Sequence, residues 1–135
     1  MTAGAYAAND VIGARLQFVG VGEGVLEAVT VADNAAQNVS YVLVIFKSVP
    51  TDITDNNPFD IADADVRNII YVADLPTTTR RAFTDNSISL VQEMAVPVAS
   101  NESDGDLWAF LYTTGTPTYA ATSDITVTLQ VSTNA

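Results

Sequence analysis

The chain contains no cysteine and no histidine. That alone excludes disulfides, Cys or His nucleophiles, His general bases and Cys/His zinc sites. Lysine occurs once and arginine four times, against twelve aspartates and four glutamates. The formal charge is −11 at pH 7. A basic face for nucleic acid is therefore missing, and an anionic membrane surface would repel the chain. No apolar run reaches the ~18 residues of a membrane-spanning helix. The opening Met1-Thr2-Ala3-Gly4-Ala5-Tyr6 has no basic residue followed by an apolar stretch, so it is not expected to act as a secretory signal.

What is present points to a β protein. The 135 residues are 48% hydrophobic, enough for one domain that buries roughly 70% of its unfolded surface. Three quarters of the acids are Asp, which favours turns and caps, where Glu would favour helices. Threonine, a strand former, occurs sixteen times.

Residues 1–10 read as an extended arm or edge strand ahead of a single domain over 11–135. Val11 to Val21 alternates, with Ile12, Ala14, Leu16 and Phe18 on one face. Gly20, Gly22 and Gly24 suit a hairpin connection or bulge before a strand over Val25 to Asp33. Val39 to Lys47 is apolar on both sets of alternate positions, as a central strand buried on both faces would be. Thr51 to Asp65 is a long acidic irregular stretch, in which Asp63 is placed to cap a short helical turn from Ala64 to Asn68. Strands follow over Asn68–Asp74, Ser87–Val98, Leu107–Thr114 and Asp124–Ser132, with Leu75 to Arg81 as a loop. The last strand alternates, with Ile125, Val127, Leu129 and Val131 inward. The expected fold is an all-β antiparallel sandwich of jelly-roll or Greek-key type, with seven to eight strands and at most one short helix. Leu43, Ile45, Phe46, Leu111 and Val127 are expected in its core.

Three features carry possible chemistry. Asp52, Asp55, Asn57 and Asp60 offer the oxygen ligands that calcium takes, but the EF-hand spacing of Gly and Glu is missing, so turn capping is the simpler role. Trp108, Tyr112 and Tyr119 would suit a sugar-binding face, against the simpler role of core packing. Arg80 and Arg81 are the only adjacent bases and would suit an acidic neighbour. Two Asn-x-Ser triplets, at Asn38 and Asn101, match the glycosylation pattern without a secretory context. Paired carboxylates also run glycoside hydrolysis, yet no Glu stands beside an aromatic cluster. No Gly-x-Ser-x-Gly elbow or phosphate-binding glycine loop occurs. No cofactor, metal or enzymatic turnover is expected.

Three segments occur in a telling order. Tyr41 to Asp65 runs strand, Pro50, Thr54-Asp55-Asn56, Phe59, Asp63-Ala64-Asp65. Leu107-Trp108-Ala109-Phe110-Leu111-Tyr112 follows, and then Thr116-Pro117-Thr118-Tyr119 leading to Ile125-Thr126-Val127-Thr128-Leu129. Together they resemble small proteins encoded among the virion genes of tailed bacteriophages, including head decoration (cement) proteins, over Val11 to Val131. The resemblance implies a structural protein on the capsid exterior that bridges major capsid protein subunits and forms a homotrimer. The acidic composition leaves no nucleic-acid or membrane partner expected, and a −11 surface would face away from packaged DNA. Tyr6, Arg80 and Arg81 are the expected subunit or capsid contacts. The competing classes are a carbohydrate-binding β-sandwich module, tail-borne or host-facing, and a small hydrolase.

Overall fold

The computed structural model describes residues 1–133. Its strands are β1 (Gly4–Ala5), β2 (Leu16–Phe18), β3 (Glu23–Asp33), β4 (Tyr41–Phe46), β5 (Ile69–Leu75), β6 (Arg80–Ala82), β7 (Ser87–Val91), β8 (Val96–Ala99), β9 (Leu107–Thr113), β10 (Thr118–Tyr119) and β11 (Ile125–Thr133). A single α-helical turn, α1 (Asp63–Val66), precedes β5, and a 3-10 turn over Thr77–Thr79 precedes β6. One sheet has the order β2-β9-β4-β5, and the other β11-β3-β7-β6 with β8 also on β3. All pairings are antiparallel. The result is an all-β antiparallel sandwich. Within the sheets only β4–β5 and β6–β7 join sequence neighbours directly, and the chain otherwise crosses repeatedly between layers.

The strand expected over Ser87–Val98 is two pieces along one edge of β3. Val91 faces Val29 and Val96 faces Leu26, so residues 92–95 bulge out. Glu93, at φ +59°, makes that turn in the left-handed region, which non-glycine residues seldom adopt. Counting β7 and β8 as one line, each sheet has four positions. Those eight match the expected number, and the β1–β10 ribbon is an addition.

Other expectations change. The strand over Val11–Val21 shrinks to Leu16–Phe18, with Gly13 at φ +82° breaking the run. Gly20 and Gly22, both left-handed, carry the chain from one sheet to the other, so they form no hairpin. Gly24 is required for another reason: a Cβ there would lie 2.4 Å from the Ser132 carbonyl oxygen on β11. Asp63 begins the helical turn and does not cap it; Ala62 holds the cap position, without a side-chain bond. Arg80 and Arg81 lie on β6, not in a loop.

The main core lies between the sheets. Leu26, Val29 and Val31 of β3 meet Tyr41, Leu43 and Ile45 of β4, and Leu107, Ala109 and Leu111 of β9. Alternation sends Val42, Val44 and Phe46 to the opposite face of β4. There they join Val11 and Phe110 in a second cluster, against which Ile53, Phe59 and Ile61 pack. Leu43, Ile45, Phe46 and Leu111 are buried as expected. Val127 is only half-buried, because β11 is an edge strand.

Candidate functional site

The acidic stretch Thr51–Asp65 is a lid. Its apolar residues Ile53, Phe59 and Ile61 face the outer side of the β2-β9-β4-β5 sheet, which explains how β4 is buried on both faces. The Phe59 ring stacks on Tyr112 (centroids 4.7 Å apart, planes 12° apart) and meets Phe110 edge-on at 6.1 Å. The lid is tied down through residues 9–12. Phe59 N–H donates to the Asn9 carbonyl (2.8 Å), Val11 N–H to Asn57 (2.8 Å) and Asn56 N–H to Val11 (2.9 Å). The same segment bonds to β9 through Asn9 N–H to Thr113 (2.7 Å) and Ile12 N–H to Leu111 (2.8 Å).

The lid's carboxylates divide by role. Asp55 Oδ1 accepts from Gly13 N–H (2.6 Å) and from the Tyr6 hydroxyl (2.8 Å). Asp65 Oδ2 accepts from Thr51 N–H (2.8 Å). Asp52, Asp60 and Asp63 are exposed around a shallow hollow shared with Ile53 and Ile61. Among the described residues no three Asp or Glu side chains converge in a way that would hold a metal ion.

The aromatics offered for sugar binding are occupied within the chain. Tyr112 lies under Phe59. Tyr119 is buried, and Trp108 is half-buried with the Arg15 guanidinium 5.1 Å from its ring centre. Tyr119 belongs to a buried network instead. Its hydroxyl lies 2.8 Å from that of Tyr41, which donates to Asp33 Oδ2 (3.0 Å). Asp33 also accepts from the Ala35 and Gln37 N–H groups (2.8 and 2.9 Å). Burial raises the pKa of both phenols, so they stay neutral donors.

Tyr6 is at 2% exposure, with its ring edge-on to Tyr119 at 5.7 Å. The expectation that it forms an outward contact is therefore corrected. Pairing of β1 with β10 folds the arm back onto the body, so Tyr6 fills the end of the core. Sequence reasoning missed this role. The one available signal was a lone large aromatic among small and polar neighbours.

Arg80 and Arg81 are neighbours on β6 and so point to opposite faces. Arg80 Nη2 donates to the Ala36 carbonyl (2.9 Å) and its Nε is buried, so the residue braces the fold. Arg81 is exposed. Two residues on, at the β6–β7 turn closed by Phe83 N–H to Asn86 O (2.7 Å), Phe83 is 57% exposed. Arg81 and Phe83 are thus exposed at one turn, which also carries the exposed Asp85, so the tip is aromatic and bears one charge of each sign. Phe83 was not singled out from the sequence, where the surrounding segment fits neither strand nor helix periodicity. No protein-family model, curated protein or solved structure matches the chain.

Proposed function

We propose that this chain is a structural virion protein that decorates the outer surface of a tailed-phage capsid and bridges major capsid protein subunits. The resemblance supplies the class of partner. The observation that carries the contact is the β6–β7 tip, where Arg81 and an exposed Phe83 stand together. Arginine and aromatic side chains are enriched where proteins meet, and a tip that combines them suits a partly apolar patch with a carboxylate opposite Arg81 and none opposite Asp85. The acidic faces then point to solvent and away from packaged DNA. A single copy can make this contact; the threefold assembly rests on the resemblance alone.

The test is co-sedimentation with undecorated capsids at low and high ionic strength. The intact chain is expected to bind, more weakly at high salt as the Arg81 contact is screened. Arg81→Ala with Phe83→Ala should lower affinity by about tenfold or more. Tyr6→Phe should leave binding unchanged. Failure of the intact chain to bind capsids at any salt removes the reading.

A further inference from the structure

The outer edges of the two sheets are not alike. An edge strand exposes unpaired N–H and C=O groups, and proteins blunt such edges with shortness, charge, proline or a bulge. Here β2 is three residues long, and β6 is three residues with two arginines. β8 is four residues with Pro97, and β5 carries Asp74 and a bulge at Ile70, where Tyr71 faces Ile45 and Ile69 faces Phe46. β11 has none of these devices. It runs nine residues, Ile125–Thr133, without a charge, a proline or an inserted residue. The bulge in its pairing with β3 lies on β3, where Glu27 is skipped between Ala28 opposite Gln130 and Leu26 opposite Val131. Among the described residues β3 is its only strand partner, and no loop backbone bonds to it.

A second observation marks the same place. The inward side chains Ile125, Val127, Leu129 and Val131 are all only half-buried, whereas Val29 and Val31 beside them on β3 are fully buried. Across the sandwich the facing edge, β2, is short, and its Leu16 and Phe18 are also half-buried. A cavity of about 140 Å³ opens here between Leu16, Leu111, Ile125 and Val127. The sandwich is incompletely covered along this side.

We infer that β11 is the pairing surface for a second copy of this chain, joined edge to edge about a two-fold axis. The strand is self-complementary. Antiparallel pairing centred on Leu129 sets Leu129 against Leu129, Val127 against Val131, Thr128 against Gln130 and Thr126 against Ser132. The three central inner-face pairs are apolar on apolar, the outermost sets Ile125 against Thr133, and the outer-face pairs are all uncharged polar. The strand itself is neutral, and the one carboxylate at its outer face, Glu27 of β3, is engaged by Ser132 Oγ (2.6 Å) and Gln130 Nε2 (3.4 Å) of the same chain. The inference does not depend on a capsid, and it closes at two copies where the resemblance implies three.

Light scattering and sedimentation of the full chain over a concentration series should give a dimer, tighter at high salt because the net charge opposes association. Thr128 and Gln130 are exposed, and Q130K, common to both variants, exchanges one long amide bond to Glu27 (3.4 Å) for an ion pair, so the monomer stays folded and the two variants differ only at position 128. T128K/Q130K sets Lys opposite Lys twice and should weaken the dimer about tenfold or more, whereas T128E/Q130K sets Glu opposite Lys twice and should restore or tighten it. Circular dichroism checks that both variants are folded. In the unaltered chain, hydrogen exchange of β11 amides should slow as concentration rises. A monomer at every concentration, a trimer, equal behaviour of the two charge variants, or β11 exchange independent of concentration would each overturn the inference.

Discussion

Phe59→Ala tests whether the acidic stretch is a lid. Phe59 is half-buried, stacked on Tyr112 and edge-on to Phe110. Truncating a fully buried Phe costs about 3–5 kcal/mol, and half-burial brings that to about 2 kcal/mol. Loss of the two aromatic contacts adds about 0.5–1.5 kcal/mol. The change also uncovers Val44 and Phe110, now 3% and 0% exposed. The expected total is about 2.5–3.5 kcal/mol. Urea unfolding followed by fluorescence of Trp108, which packs against the same cluster, reads the loss as a lower midpoint. Asp52→Asn, Asp60→Asn and Asp63→Asn serve as contrasts, each expected within about 0.5 kcal/mol of the unaltered chain. A Phe59→Ala loss below that level, or a larger loss at an exposed aspartate, would refute the lid and reopen the loop as a binding site. Melts with calcium and with chelator should then separate, where the lid reading has them superimpose.

Leu111→Ala should cost about 2–5 kcal/mol, because Leu111 is 1% exposed between the sheets; a loss near zero in urea would misplace β9. Tyr41→Phe should cost about 1–3 kcal/mol, since it leaves the buried Asp33 and Tyr119 each short of a partner; calorimetry showing no change would dismiss that network. Asp106 carries a pH prediction. Bonds from Gly20 N–H (2.8 Å) and the Gln17 amide hold its carboxyl below the ordinary range. Its stabilisation is complete above the unfolded value, about 3.9, and is lost as pH falls through the lower folded one. Urea midpoints of D106N should therefore lie below those of the unaltered chain at neutral pH and converge with them in acid; parallel curves would refute this.

The layers of the fold were legible because hydrophobic pattern reports faces directly. Val42, Val44, Leu43 and Ile45 are apolar on alternate positions, and β4 is buried on both sides. What covers the outer side was not legible, since Ile53, Phe59 and Ile61 are scattered among polar residues without a period. Pattern also gives orientation without depth. Val127 points inward as read, yet its strand ends the sheet and leaves it half-covered. For the candidate contacts, the adjacency of Arg80 and Arg81 was visible but their division was not. Strand alternation assigns one to bracing and one to solvent, and only the three-dimensional turn places Phe83 beside the free one.

The strip of residues 9–12 has a consequence for how the molecule breathes. It lies between the lid and β9 and is bonded to both. Lifting the lid severs the bonds of Asn56, Asn57 and Phe59 to the strip and exposes Val11, which is fully buried. Peeling the strip from β9 frees the lid in turn. Tyr6, a few residues upstream, shares Asp55 with the lid, so the docked arm is tied to the same event. Arm, strip and lid therefore make one cooperative opening unit, whose local unfolding exposes the outer face of one sheet and, through withdrawal of Tyr6 and Ile12, opens one end of the core between the sheets as well.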